Sequence, residues 1–87
     1  MNVYMVERSL KGIAMNDLAA AQQAAIATAR QFSAEGTPAR YIRSTFVPVT
    51  GACMCLFEAD DADTVARLNR SAKIPFDRVT AALDLTP

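Results

Sequence analysis

Glu7, Arg8, Tyr41, Arg43 and Cys55 are the side chains of this sequence best suited to holding a ligand. Glu7 with Arg43 supplies an acid and a base, which form either a clamp for a polar molecule or an ordinary ion pair; Arg8 is the alternative to Glu7. Cys53 and Cys55 could present two thiolates to a soft metal. Thiolates on one ion converge, however, whereas side chains on alternate residues of a regular strand stand parallel. The pair therefore reads as two small buried hydrophobes, with neither a bound metal nor a mutual disulfide expected. The chain contains no His, which removes a histidine base, Ser-His and Cys-His nucleophile pairs, and imidazole ligands. No phosphate-cradling glycine loop occurs, and no cofactor is indicated.

The elements that position these residues centre on Arg40 to Glu58. Val, Ile, Thr, Tyr and Phe fill two arms, and Pro48 and Gly51 interrupt them where a hairpin reverses, which predicts strands over Ala39 to Val47 and Ala52 to Ala59. Asn2 to Leu10 is a further strand, ended by Lys11 and Gly12. An Ala-rich run from Met15 to Ala34 repeats Leu18, Ala21, Ala25, Ala29 and Phe32 at helical spacing, with Asn16 as its best cap and Gly36 beyond its end. Asp60, Asp61 and Asp63 open a second helix with the apolar stripe Val65, Leu68 and Ala72, closed by Pro75. A last strand is expected over Phe76 to Leu85.

The order β-α-β-β-α-β predicts an α+β domain of the ferredoxin-like kind: a four-stranded antiparallel sheet with two helices on one face, spanning residues 1–87 as one domain. The other face is then bare. Alternation places Arg40, Ile42, Ser44 and Phe46 toward the helices and Tyr41, Arg43, Thr45 and Val47 away from them, with Val3, Met5 and Glu7 beside the latter set. In the third strand both faces are apolar, and its orientation stays open. A bare face of this make-up suits a homodimer that encloses a small pocket between its two sheets.

Composition sets the remaining bounds. In 87 residues, 52% hydrophobic and 21% charged, the chain is an ordinary globular domain near the small end of what folds unaided. Its net charge of zero offers no electrostatic footprint for nucleic acid or an anionic membrane surface. The run Gly51 to Phe57 lacks the stacked aromatics of an RNA-recognition strand, and the loop Ser9 to Ile13 lacks the paired cysteines of a metal-transfer domain. No apolar run is long enough for a membrane span, and Met1 to Arg8 lacks the regions of a signal peptide, so a cytoplasmic location is expected. Reduced thiols agree with that setting.

Several motifs carry a family likeness. Tyr4-Met5-Val6-Glu7-Arg8 with Leu10 and Gly12, Arg40-Tyr41-x-Arg43-Ser44-x-Phe46-x-Pro48, Cys53-x-Cys55-Leu56-Phe57-Glu58-Ala59, and Pro75-Phe76 resemble a domain family of unknown function that includes a nickel-binding protein. The resemblance spans nearly the whole chain and implies a ferredoxin-like fold that dimerises into an α+β barrel. The nickel-binding member is rich in His around its first strand; Glu7 and Arg8 stand there in this chain, so no metal ligand carries over. The functional expectation is a small homodimeric binding protein for a small-molecule ligand, with a cofactor-free enzyme of the monooxygenase or isomerase type as the alternative.

Overall fold

The computed structural model describes residues 1–87. Its elements are β1 (Asn2–Ser9), α1 (Met15–Ala34), β2 (Ala39–Val47), β3 (Ala52–Ala59), α2 (Ala62–Ser71) and β4 (Arg78–Ala82). The strands form one antiparallel sheet in the order β2-β3-β1-β4, the ferredoxin-like arrangement. Ala25 and Ala29 of α1 and Val65 and Leu68 of α2 share one buried cluster with Val6, Cys53, Cys55 and Phe57, which puts both helices on the same face. The buried stripe of α1 is Ala, whose side chains fill little of the space between helix and sheet. No helix is long and apolar enough to cross a membrane.

The ends of the elements follow local chemistry. Asp61 caps α2 by accepting the Thr64 N–H at 2.8 Å, and those bonds hold its carboxyl below the usual range. At the start of α1, Ala14 occupies the cap position with no side-chain bond, so Asn16 falls inside the helix instead of capping it. After α2, Lys73 takes a positive φ of 60°, and the chain turns through Ile74 and Pro75 into β4. That strand is shorter than Phe76 to Leu85.

Alternation in β3 settles its orientation: Cys53, Cys55, Phe57 and Ala59 are buried beneath the helices, and Met54, Leu56 and Glu58 turn outward. In β2 a bulge breaks the alternation. Tyr41 pairs with Phe57, but the next residue of β3, Leu56, pairs with Arg43, leaving Ile42 as the extra residue. Beyond the bulge Ser44 and Phe46 face the helices as expected. Before it, Tyr41 also faces them, its ring edge-on to Phe57 at 5.5 Å, so the expectation that Tyr41 lies on the bare face is corrected.

The outer face is not wholly bare. Arg43 of β2 binds Asp84 at 2.9 Å, although β2 and β4 are opposite edges of the sheet, about 14 Å apart at ordinary strand spacing. The chain after β4 must therefore fold back over the outer face. Val3, Met5, Met54 and Leu56 there are only partly exposed, whereas Leu83 and Leu85 on the returning tail are 81% and 85% exposed.

The β2–β3 turn is locked to the loop after β1. Gly51 donates to the Val47 carbonyl at 2.8 Å and accepts from the Leu10 N–H at 2.7 Å. Its φ of +79° favours glycine, and a Cβ there would lie 2.3 Å from Lys11 Cα. Gly51→Ala is expected to lower stability by about 3 kcal/mol through strain and overpacking together. Urea denaturation checks this; a loss within about 0.5 kcal/mol would show that the loop yields freely.

Candidate functional site

Between α1 and the sheet lies a cavity of about 230 Å³. Leu18, Ala21 and Ala25 of α1 form one wall, and Phe46, Cys53 and Cys55 of the sheet form the opposite one. The small Ala side chains leave this space because they reach only a short way from the helix toward the strands. Exposed Met15 and Gln22 stand at its mouth.

A line of hydrogen bonds runs along the sheet side. Gln22 Nε2 donates to Tyr41 Oη at 3.0 Å, and Tyr41 Oη lies 2.6 Å from Ser44 Oγ. Ser44 Oγ then donates to Cys55 Sγ at 2.9 Å, and Cys55 Sγ is 3.8 Å from Cys53 Sγ. Because Gln22 donates to Tyr41 and Ser44 donates to Cys55, the Tyr41 proton is directed at Ser44. Burial pushes the Cys53 thiol from an ordinary 9.0 up to about 11; neighbouring Cys55 adds to the rise, and the Arg8 cation only partly opposes it. Cys53 is therefore a neutral thiol at physiological pH.

Arg8 also lines the cavity. It is 4% exposed, and its Nη2 donates to Asn69 Oδ1 at 2.8 Å and its Nη1 to the Pro75 carbonyl at 3.2 Å. Asn69 is itself fully buried and donates from Nδ2 to the Val65 carbonyl at 2.9 Å. The Nε of Arg8 is sealed from solvent with no partner.

Of the residues singled out in the sequence, Arg8, Tyr41 and Cys55 line this one cavity. Glu7 and Arg43 stand on the other face and do not meet, because β3 lies between β1 and β2. Glu7 pairs with Arg78 at 2.5 Å, and Arg43 with Asp84. The cavity thus sits on the helix side of the sheet, away from the face where two sheets would meet. Gln22, Ser44 and Asn69 were not singled out. Asn69 carried a signal: it follows Val65 by four residues on the buried stripe of α2, where a polar side chain requires a partner.

A family model described as nickel responsive protein SCO4226-like matches residues 4–81. The chain belongs to the SCO4226-like family. The crystal structure of SCO4226 from Streptomyces coelicolor A3(2) superposes with a TM-score of 0.80 at 21% identity, covering 97% of this chain and 99% of that one. At that identity the likeness is one of fold. No functionally curated protein matches the chain.

The name of the SCO4226-like family raises nickel, and the donors here can be tested against it. Ligands about 2.3 Å from a tetrahedral ion stand about 3.8 Å apart, so the 3.8 Å between Cys53 and Cys55 corrects the expectation that the two thiols stand parallel without converging. What they lack is further donors. No group of three or more His, Cys, Asp or Glu comes together anywhere in the chain, Cys53 keeps its proton, and the Arg8 guanidinium repels a cation. These residues do not fit a bound nickel ion.

The raised Cys53 thiol gives a pH dependence of known sign. Between pH 9 and about 11 the unfolded chain releases a proton that the native thiol retains, so this group's contribution to stability falls as pH rises through that window and is constant below it. Chemical denaturation of wild type and Cys53→Ala across this range should show a shallower alkaline decline in the variant. Equal slopes would contradict the assignment.

Proposed function

We propose that the protein is a homodimeric small-molecule-binding protein whose ligand occupies the cavity between α1 and the sheet. The observation that carries this is a largely apolar cavity with a polar line along one wall and a buried cation in its lining, the make-up of a site that both holds and orients a ligand. At about 230 Å³ it is smaller than the roughly 300 Å³ at which drug-sized sites begin, so the ligand is a small metabolite. A cofactor-free enzyme is the weaker alternative, because no carboxylate lines the cavity to act as a base.

The second copy would pack on the outer face. Exposed Leu83 and Leu85 lie on the tail that crosses it, and Val47 at the end of β2 is 37% exposed. The sheet alone projects roughly 350 Å², less than the approximately 800 Å² per partner of a standard interface, so the tail leucines have to contribute.

Two measurements test these halves separately. A saturating ligand at about 100 times its dissociation constant adds roughly 2.7 kcal/mol, which in a domain of this size raises Tm by at least about 10 °C. A thermal-shift screen of small amphiphilic metabolites should find such compounds, and filling the cavity with Ala21→Phe should abolish the response; a response that survives this variant would place the ligand elsewhere. Light scattering should give twice the chain mass of 9.4 kDa for the wild type and the single mass for Leu83→Asp/Leu85→Asp. A wild-type monomer at micromolar concentration would overturn the dimer and leave the cavity standing.

A further inference from the structure

Arg8 is the one charged side chain in the cavity wall, a guanidinium with five N–H donors and no acceptor. None of the ion pairs in the protein includes it. Its acceptors, the Asn69 amide oxygen and the Pro75 carbonyl, are dipoles. The C-terminal end of α2 adds roughly half a negative charge, and the remainder is uncompensated. A thiolate at Cys53 would be the obvious internal counter-ion, yet burial keeps that group protonated. A buried cation answered only by dipoles is a costly arrangement that a bound anion would relieve.

We propose that the cavity takes a small monocarboxylate with an apolar tail, the carboxylate pairing with the Arg8 guanidinium and the tail lying among Leu18, Ala21 and Phe46. This rests on the cavity being a ligand site. One cation balances one negative charge; with no Lys and no second Arg in the wall, a phosphate monoester would bring a second, unanswered charge against apolar side chains. A planar carboxylate also fits the Nη edge of a guanidinium, where each Nη has a hydrogen beyond the one it gives to Pro75 or Asn69, while the sealed Nε takes no part. At about 30 Å³ for each water-sized volume, 230 Å³ corresponds to about eight non-hydrogen atoms, the size of hexanoate. The polar line from Gln22 to Cys55 would accommodate a hydroxyl or keto group on the tail.

Isothermal titration at pH 7 with hexanoate and its neutral counterpart 1-hexanol tests this. Wild type should bind hexanoate about tenfold more tightly or better, Arg8→Met should remove that preference, and Arg8→Lys should keep part of it. Ala21→Phe should abolish binding of both. Equal affinity for hexanoate and hexanol would overturn the carboxylate while leaving the cavity as a ligand site, and so would a preference that survives in Arg8→Met. Binding of neither compound would overturn the carboxylate assignment; the thermal-shift screen then judges the cavity independently. Should Arg8→Met fail to fold, the wild-type ratio stands together with intermolecular nuclear Overhauser effects between the hexanoate α-protons and the Arg8 δ-protons, whose absence at saturation would overturn the pairing.

Discussion

A guanidinium held out of water by two carbonyl dipoles is the constraint on which the rest of this structure depends. Arg8 sits on an inner strand, paired with Cys53 of β3 and one residue beyond the last pair of β1 with β4, Glu7 with Arg78. Its head reaches the end of α2, and that places requirements on distant residues: a buried Asn at position 69, and a turn through Ile74 and Pro75 that presents a carbonyl. The two acceptors tie β1 to α2 and to the turn before β4. They satisfy hydrogen-bonding capacity more fully than they satisfy charge, and that imbalance gives the adjoining cavity its chemical character.

The bulge in β2 supplies the rest of that character. One extra residue at Ile42 turns Tyr41 toward α1 while keeping Ser44 and Phe46 on the same side. Without it Tyr41 would point outward, and the line from Gln22 to Cys55 would be broken. Arg43, turned outward by regular alternation with Ser44 and Phe46, holds the returning tail through Asp84.

The topology was legible in the sequence because Gly, Pro and the switch between helical and alternating patterns mark nearly every boundary. The orientation of β2 was legible only beyond the bulge, since nothing in Arg40-Tyr41-Ile42-Arg43 announces an extra residue. Glu7 and Arg43 attracted notice as opposite charges on one face; which strands are neighbours decides that they do not meet, and the partners they found, Arg78 and Asp84, lie far along the chain. In the sequence Arg8 stands among the ligand-holding candidates only as the alternative to Glu7. Its importance comes from burial, which depends on the packing of α2 and is not written in its neighbours. The tail after β4 reads as strand in the sequence, because its alternating leucines fit a strand as well as they fit a segment folding back across a sheet.

The central claim is that the Arg8 guanidinium is enclosed and has no charged partner until an anion arrives. Its Nε–H resonance in nitrogen-15 spectra reports on this directly, by its exchange with solvent and by its shift. At pH 7 the Arg8 Nε–H should exchange more slowly than those of exposed Arg40 and Arg67 by about tenfold or more, and it should move on addition of hexanoate while theirs stay in place. An Arg8 resonance that exchanges as fast as the exposed ones and does not respond to hexanoate would contradict the account.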